Sequence, residues 1–512
     1  MNNSSISAIK IMVITLIGKM LGFMCDSILA YKFGASEETD AYLTAIMIPT
    51  VLFASLAAGI NTSFIPIFSH IKEEKGLNAG FHFGNKILNF IGFFMLLLIL
   101  ILLPFTVQLT KVIAPGFSND GINLTSTLLK YSLFMSIFVV LGAVYSAITQ
   151  GIGKFGISNF KNVSQNIIII ISILILGSFW GIEGVTIGTV LAMVSHILVQ
   201  IPALRKSNYK YRLNFKFRDK DIWEFCRLAF PIMLSTSFLA INLLIDRILV
   251  SGLGEGSVTA LTFANKINQL VYGVFILSLI TVVFPDFSKY ANEKNWEKFL
   301  DLISNTIKYT IVITIPIVCV IIVLRIPIIK LLFENGSFTE KDTYITSIAL
   351  FYYCLGTVSY GIQEIFNRGF YSLKDTKTPM FTAFFAVVCN IILSLIFVNI
   401  LGIGGIALAT SLSMTIRSLL TYKMLSKRIG SIFKSGFILF NFKMILSFVF
   451  CYITSELFKE VIVTGENKYS LLFQICLVSI LGVFSYLTSL ILLKVEEVHQ
   501  GKVLIMKLVK KL

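Results

Sequence analysis

Charged side chains inside long apolar segments are the residues of this chain whose chemistry most needs an explanation. Lys19 and Asp26 are seven residues apart in the first apolar segment, so a helix would place them on one face. Lys266 lies inside a later apolar segment, next to Asn265. An ionisable residue within a membrane costs on the order of 2.5 to 3.5 kcal/mol, so it usually faces a cavity or a partner. We expect these four residues to line a polar cavity, and bridging to neighbouring helices is the alternative for Lys19 and Asp26. Asp40 fits that cavity and an ordinary solvated helix cap equally well.

A second set of polar residues combines one acid with neutral oxygens. Asp246, Asn390, Ser394 and Thr410 fall in three later apolar segments, and Asn390 and Ser394 share a helix face at a spacing of four residues. One carboxylate with amide and hydroxyl oxygens suits a monovalent cation such as Na⁺, whereas a divalent site usually carries more charge. The alternative interpretation is hydrogen bonding between helices.

Three further charged residues are expected to be structural. Glu364 and Arg368 are four residues apart, a spacing that predicts a local salt bridge on one helix. Arg417 lies in a later apolar segment, where a long side chain can extend its charged end towards water. Contact with a ligand is the alternative for Arg417.

The sequence contains none of the motifs that would indicate an enzyme. It has no GxxxxGK[ST], GxSxG or HExxH pattern. Its seven cysteines form no CxxC pair and are interpreted as packing residues. We therefore expect no catalytic activity and no cofactor other than a candidate Na⁺.

The composition is that of a polytopic membrane protein. Of the residues, 56% are hydrophobic and 14% charged, and the mean hydropathy is +0.85. Continuous apolar runs of about twenty residues predict membrane-spanning α-helices. We predict fourteen, at 6–34, 41–69, 84–110, 125–150, 157–178, 182–204, 225–252, 257–287, 304–332, 343–371, 379–401, 403–425, 434–458 and 470–494.

The formal net charge of +16 is explained by topology. Basic residues crowd alternate loops, above all the connection around 205–227, whereas the loops near Trp180, Gly252 and Leu401 have none. By the positive-inside rule both termini are expected to be cytoplasmic. The basic loops would contact anionic membrane lipids, and a nucleic-acid partner is not expected.

Three short segments recur in the same order at offsets of 219 to 221 residues. Residues 26–34 resemble 246–254, residues 66–69 resemble 285–288, and residues 181–189 resemble 402–410. Duplicated helical bundles are common in transporters, which hold their substrate between the halves. We predict an N-terminal lobe at 1–205, a basic cytoplasmic linker at 206–224, a C-terminal lobe at 225–430, and a further helix pair with a basic tail at 431–512.

Several motifs resemble one transporter family. Gly18-Lys-Met-Leu-Gly-Phe-Met-Cys-Asp26, Asn335-Gly-Ser-Phe-Thr339 and Gly369-Phe-Tyr-Ser-Leu-Lys-Asp-Thr-Lys-Thr-Pro379 look like motifs of the MurJ (MviN) lipid II flippases, within the MOP exporter superfamily. The resemblance implies two six-helix lobes that work by alternating access and a final helix pair. It also implies an undecaprenyl-linked substrate whose pyrophosphate and sugar enter a cationic cavity.

The resemblance also assigns roles to single residues. Lys19 and Lys266 stand where the family usually has arginine, and Asp26 and Asp40 match it. Cys25 replaces a further arginine, and Phe53 and Ala54 fall where many members carry paired arginines, so the expected cavity is less cationic than the family pattern. Some members place Na⁺ at positions that match Asp246, Asn390, Ile406 (through its carbonyl) and Thr410, and Ser394 stands where those members have an acid.

The expected function is movement of lipid II from the inner to the outer leaflet of the bacterial cytoplasmic membrane for peptidoglycan synthesis, with cell-wall synthesis proteins as potential partners. The first alternative is flipping of another polyprenyl-linked saccharide, such as an exopolysaccharide or O-antigen unit. A multidrug exporter and a non-transporting scaffold are the remaining alternatives.

Overall fold

A computed structural model describes residues 3–213, 219–433, 436–462, 467–495 and 497, and within these the regular secondary structure is entirely helical. The α-helices in chain order are α1 Asn3–Phe33, α2 Glu37–Lys75, α3 Leu77–Leu102, α4 Thr106–Ile113, α5 Asn119–Gly151, α6 Phe155–Leu174, α7 Leu176–Leu198, α8 Ile201–Arg205, α9 Lys220–Ser251, α10 Ser257–Val271, α11 Leu277–Asn292, α12 Trp296–Leu332, α13 Glu340–Ser372, α14 Lys377–Leu401, α15 Ile403–Ile429, α16 Phe437–Val461 and α17 Lys468–Leu492. A 3₁₀ turn, Leu103–Phe105, joins α3 to α4, and a π-helical turn, Tyr272–Ile276, joins α10 to α11.

The all-helical membrane fold is confirmed, whereas the number of membrane crossings is not. A helix lies in each of the fourteen predicted segments. Among the described residues, eleven helices are long and apolar enough to cross a membrane, and Phe160–Leu174 is a shorter apolar helix. The count of fourteen and the side on which the termini lie stay predictions.

The two predicted glycine turns have the same local geometry. Gly181, within α7, has φ 54° and ψ −143°, and Gly402, between α14 and α15, has φ 55° and ψ −128°. Three residues further on, a Cβ atom on Gly184 would lie 2.3 Å from the Leu176 carbonyl oxygen, and one on Gly405 would lie 2.2 Å from that of Phe397. Only glycine tolerates both demands, a positive φ and so close an approach. The duplication seen in the sequence is therefore also present in the backbone.

The described residues group into two compact units. Unit 1 comprises Met1–Thr259 and Asn335–Thr339, and unit 2 comprises Ala260–Glu334 and Glu340–Leu512. Contacts thus place α9 in unit 1. The lobe boundaries at 205 and 225 describe the sequence repeat, and they stay a prediction.

The core of unit 1 holds part of the predicted linker in place. Buried residues of α2, α3 and α5 form an apolar cluster that includes Tyr209 of the linker. Asn85 and Asn89, one turn apart on α3, donate to the carbonyls of Lys210 at 2.9 Å and Arg212 at 3.0 Å. The described end of the linker is therefore fixed along α3. Residues 214–218 lie outside the described residues.

The core of unit 2 includes the final helix pair. Met444 and Cys451 of α16 and Tyr486 of α17 are buried in one cluster with residues of α12. The Tyr486 hydroxyl donates to the Val312 carbonyl of α12 at 3.1 Å. Packing against α12 accounts for the position of this pair, which has no counterpart in the repeat.

Candidate functional site

Lys19 and Asp26 on α1 differ in environment. Lys19 is exposed, whereas Asp26 is buried at 7% exposure. Asp26 lies close enough to Tyr42 of α2 for an electrostatic interaction. Tyr42 in turn shares a 2.9 Å hydrogen bond with Thr189 of α7. Lys19 is therefore an accessible charge on α1, and Asp26 belongs to a buried polar contact in unit 1.

Asn166 of α6 holds two positions of α1. Its amide donates to the Gly18 carbonyl at 2.8 Å, and the Cys25 thiol donates to the Asn166 carbonyl at 3.2 Å. Phe53 of α2 is buried in the apolar cluster of unit 1. Cys25 and Phe53, at two of the positions where the resemblance implies arginine, thus serve packing here, and neither contributes a cation.

Asp40 accepts three hydrogen bonds from the segment that opens α10. Its Oδ2 accepts from the Gly256 backbone N–H at 2.9 Å. Its Oδ1 accepts from the Thr259 backbone N–H at 2.8 Å and from the Thr259 hydroxyl at 2.6 Å. The carboxylate is 1% exposed. We call Asp40, Gly256 and Thr259 the Asp40 clasp. Its carboxylate caps the first turn of α10, where unpaired N–H groups and the helix dipole favour an anion.

Neighbouring loops of unit 1 interlock beside the clasp. The Ser337 backbone N–H donates to the Tyr31 carbonyl at 2.9 Å, and its hydroxyl donates to the Lys32 carbonyl at 3.1 Å. Gly336 has φ 62°, and a Cβ atom there would lie 2.1 Å from the Tyr31 oxygen. Backbone contact at this distance requires glycine. The motif at 335–339 is therefore explained by a docked loop.

The polar residues of α10 point in two directions. Asn268 is buried and accepts a hydrogen bond from the Thr357 hydroxyl of α13 at 2.5 Å. Asn265 accepts a long hydrogen bond from Gln269 at 3.5 Å, and both Asn265 and Lys266 are partly exposed. Asn268 is thus part of the packing of unit 2. Asn265, Lys266 and Gln269 are accessible polar groups on α10, and the ligand role of Asn265 and Lys266 stays a prediction.

Three of the predicted cation ligands are joined by hydrogen bonds within unit 2. The Asn390 amide donates to the Thr410 hydroxyl at 3.2 Å, and that hydroxyl donates to the Ile406 carbonyl at 3.0 Å. Ser394 is one turn from Asn390 and fully buried. Asn390 Oδ1 and Ser394 Oγ have no hydrogen-bond partner among the described residues. Buried oxygens without a donor are costly and are what a bound cation would satisfy.

Asp246 is the acid of the predicted ion set and lies on α9 in unit 1. It is 9% exposed, and its Oδ1 accepts no hydrogen bond from the described residues. A single carboxylate with neutral oxygens has the donor chemistry of a monovalent cation. The oxygens of Asn390, Ser394 and Thr410 within unit 2 are neutral ligands of the kind that suits Na⁺, and the participation of Asp246 stays a prediction.

The segment 369–379 is held by a capped turn. The Asp375 carboxylate accepts from the backbone N–H groups of Lys377 and Thr378, each at 3.0 Å, at the start of α14. It also pairs with Arg428 at the end of α15. Burial raises the pKa of Asp375, but the Thr378 hydrogen bonds and the Arg428 charge outweigh burial and hold it below its usual value. This motif fixes the turn between α13 and α14.

Sequence reasoning missed the Asp40 clasp. Asp40 and Thr259 are 219 residues apart, and no local pattern states which distant N–H groups a carboxylate will meet. One signal was available. Gly256 follows the repeated segment 246–254 at the offset of the duplication from Ser36, the N-cap of α2, and this correspondence indicates a helix N-terminus near it.

Known proteins of one family match nearly the whole chain. The family model described as lipid II flippase MurJ matches residues 29–474. A probable lipid II flippase MurJ of Buchnera aphidicola subsp. Baizongia pistaciae is 27% identical over 474 residues, which cover 92% of each chain. A probable lipid II flippase MurJ of Vibrio cholerae is 28% identical, over 81% of this chain and 82% of that protein.

Solved structures give the same assignment. A structure of a lipid II flippase MurJ in an inward closed conformation superimposes with a TM-score of 0.79 at 30% identity, and covers 94% of this chain and 98% of that chain. A multidrug resistance MATE transporter of the MOP superfamily superimposes with a TM-score of 0.69 at 19% identity, which shows a shared fold alone. By this full-length match in sequence and in structure, the chain belongs to the lipid II flippase MurJ family.

Proposed function

We propose that this chain moves lipid II from the cytoplasmic to the outer leaflet of the bacterial cytoplasmic membrane, where it supplies peptidoglycan synthesis. The observation that carries the proposal is the match of residues 29–474 to the lipid II flippase family. The helical membrane fold supports it, because a lipid headgroup crosses a bilayer only where protein replaces the hydrocarbon core. Both termini would be cytoplasmic, on the side of the basic loops.

The accessible lysines would bind the pyrophosphate of the substrate. Lys19 is exposed and Lys266 is partly exposed. An ammonium group binds phosphate as a point charge, whereas an arginine offers a planar pair of donors. With Cys25 and Phe53 committed to packing, these two lysines are the cations among the predicted headgroup ligands. Their removal should therefore have a large effect.

The Asp40 clasp would close one end of the transport path. Its hydrogen bonds and the docked Ser337 loop hold together segments that the charge distribution places on the outer side. A transporter that works by alternating access must break such contacts to release its substrate. Asp40 would then act through the conformational equilibrium, since its oxygens are fully used in the clasp.

A sodium ion would be the coupling ion. Asn390, Ile406 and Thr410 of unit 2 would hold it, with Ser394 as a further neutral oxygen, and Asp246 is the acid that the family resemblance assigns to it. When bound, Na⁺ would supply positive charge to these buried oxygens, and its gradient would supply energy.

The gene should restore growth to bacteria that are depleted of their own lipid II flippase. Lys19→Ala and Lys266→Ala should each abolish this rescue, because each removes a cation that the substrate phosphate needs. The measurement is colony formation under depletion, with membrane levels of each variant determined by immunoblot.

Lys111→Ala is the matched control, because Lys111 is an exposed lysine at the end of α4 that is assigned no role. It should rescue like the wild type. Absence of rescue by the wild-type gene at normal membrane levels would contradict the proposed function. Normal rescue by both lysine variants would instead contradict only their role.

A further inference from the structure

Unit 2 contains a cluster of arginine and tyrosine side chains. None of them is among the predicted headgroup ligands. Arg368 of α13 and Arg417 of α15 lie close enough to the same tyrosines for electrostatic interaction. The basic–aromatic cluster consists of Tyr272, Phe284, Tyr360, Glu364, Arg368, Tyr371 and Arg417.

The salt bridge predicted between Glu364 and Arg368 forms, and it leaves Arg417 without a carboxylate partner of its own in the cluster. Arg368 forms a salt bridge to Glu364 at 2.9 Å and lies over the Phe284 ring at 5.1 Å. The other Glu364 oxygen accepts from Asn367 at 3.2 Å. Arg417 donates to a neutral group, the Pro379 carbonyl, at 3.3 Å. The cluster therefore holds two guanidinium groups and one carboxylate, with a net positive charge.

Both guanidinium groups have unused donors. The Nε atoms of Arg368 and Arg417 are buried and have no acceptor among the described residues. A buried charged donor without an acceptor is costly, and an excess positive charge in a membrane protein usually marks a ligand or ion path. An oxyanion would supply the missing acceptors and the missing charge.

The backbone around the cluster also has an irregular feature. Tyr272 begins the π-helical turn Tyr272–Ile276. Such turns are rare and often lie at functional sites, because the extra residue redirects the side chains that follow. Tyr371 is 42% exposed, so part of the cluster is accessible. It lies at the end of α13, beside the loop that carries Lys374 and Lys377, which the charge distribution places on the cytoplasmic side.

We propose that Arg368, Arg417 and the surrounding tyrosines form a second phosphate-binding subsite, which takes the pyrophosphate of the polyprenyl-linked substrate at the cytoplasmic end of unit 2. The inference rests on the proposed function. It also accounts for a chain-specific feature, since Cys25 and Phe53 provide no charge in unit 1. A paired guanidinium site would restore the bidentate recognition of phosphate that lysines cannot give.

Binding to the purified full-length protein tests the subsite. The probes are undecaprenyl pyrophosphate, uncharged undecaprenol, and phosphatidylglycerol as a bulk anionic lipid, each titrated in detergent and followed by native mass spectrometry. Arg417→Gln should weaken binding of undecaprenyl pyrophosphate by about 10- to 100-fold, as expected for loss of a charged hydrogen-bonding group. Binding of undecaprenol should not change, and Arg417→Lys should lie between the two.

Arg325→Gln is the matched control, because Arg325 is another arginine of unit 2, which donates to its own helix at Ile322 and lies over Phe351. It should bind like the wild type. Tyr371→Phe, which removes one accessible hydroxyl and keeps the ring, should weaken binding less than Arg417→Gln, and it serves if Arg417→Gln does not fold.

Four results would overturn the subsite. The first is wild-type affinity of Arg417→Gln for undecaprenyl pyrophosphate, and the second is an equal loss of that affinity in Arg325→Gln. The third is an equal loss of phosphatidylglycerol binding in Arg417→Gln. The fourth, where Arg417→Gln does not fold, is wild-type affinity of Tyr371→Phe for undecaprenyl pyrophosphate. The third would assign the cluster to bulk phospholipid. If the wild type binds undecaprenyl pyrophosphate no better than undecaprenol, the proposed function fails together with the subsite. Strong wild-type binding with unaffected Arg417→Gln would overturn the subsite alone.

Discussion

Among single residues, Asp40 shows most clearly how an acid inside an apolar segment can serve a contact instead of a ligand. It is an acid in an apolar environment, and its two oxygens receive three hydrogen bonds. Such an arrangement compensates the cost of burial, because charged hydrogen bonds replace those lost from water. The same arrangement is sensitive, since a partner left unsatisfied costs about 1 to 3 kcal/mol.

Asp40→Asn should open the clasp. Asparagine replaces one acceptor oxygen of the carboxylate with an NH₂ donor, which then faces a backbone N–H donor. At least one hydrogen bond is therefore lost without a change of side-chain shape. In a cysteine-free background, a cysteine at Ser257, which is 5% exposed, should react with a maleimide about tenfold faster in Asp40→Asn, as expected for about 1.4 kcal/mol. Asp120→Asn, at an exposed acid of α5, should leave the rate unchanged. Equal rates in all three backgrounds would show that Asp40 does not hold this segment.

Among the helices and turns, the duplicated glycine turns are the most constrained. Gly181 and Gly402 adopt nearly the same positive φ, and Gly184 and Gly405 approach a carbonyl oxygen so closely that a methyl group cannot fit. The sequence identified both turns through the repeat and through hydropathy. It did not identify the close approach, which depends on how two consecutive helices pack.

Alanine at either close-contact glycine should destabilise the protein. Gly184→Ala and Gly405→Ala each place a Cβ atom within 2.3 Å of a carbonyl oxygen, so the segments on either side of each glycine turn must separate. Overpacking of this kind costs about 1 to 3 kcal/mol. Gly156→Ala is the control, because a Cβ atom there meets nothing within 4 Å and alanine is the better helix former by about 1 kcal/mol. Thermal unfolding in detergent should give a lower midpoint for the first two and an equal or higher one for the control. Three equal midpoints would contradict the repeat geometry.

At the scale of the whole molecule, a ligand that binds only the folded state raises the free energy of unfolding. The candidate ion residues include oxygens that lack donors within the described residues, so Na⁺ would remove an unfavourable term from the native state. A free concentration ten times the dissociation constant adds about 1.4 kcal/mol. Global stability therefore reports on the ion independently of transport.

Unfolding should occur at a higher temperature in sodium chloride than in potassium chloride at equal ionic strength. Asn390→Ala should remove this difference, because it deletes an amide oxygen of the site. Asn399→Ala is the control, since Asn399 is exposed on the same helix and donates only to the Leu395 carbonyl. A sodium effect that survives Asn390→Ala, or that potassium reproduces, would contradict the ion site.

Sequence reasoning reached the helical membrane fold, the repeat and the family, because hydropathy and glycine turns are encoded locally. It also identified the Glu364–Arg368 pair, whose partners are one helical turn apart. It could not distinguish the buried Asn268 from the partly exposed Asn265, or the buried Asp26 from the exposed Lys19. Burial on a membrane helix depends on which neighbouring helix each face contacts. The excess charge at Arg417 was equally out of reach, since its neighbours lie on α13, on α14 and in the π-helical turn, which are far apart in sequence.

The π-helical turn Tyr272–Ile276 has a practical consequence for anyone who maps accessibility along residues 257–292. A π turn contains one residue more than an α turn, which rotates everything after it by about 100°. Cysteine scans of α10 and α11 must therefore be plotted on two separate helical wheels. On a single wheel, the reactive positions of α11 would fall on the wrong face, and one continuous stripe of accessible residues would look like two.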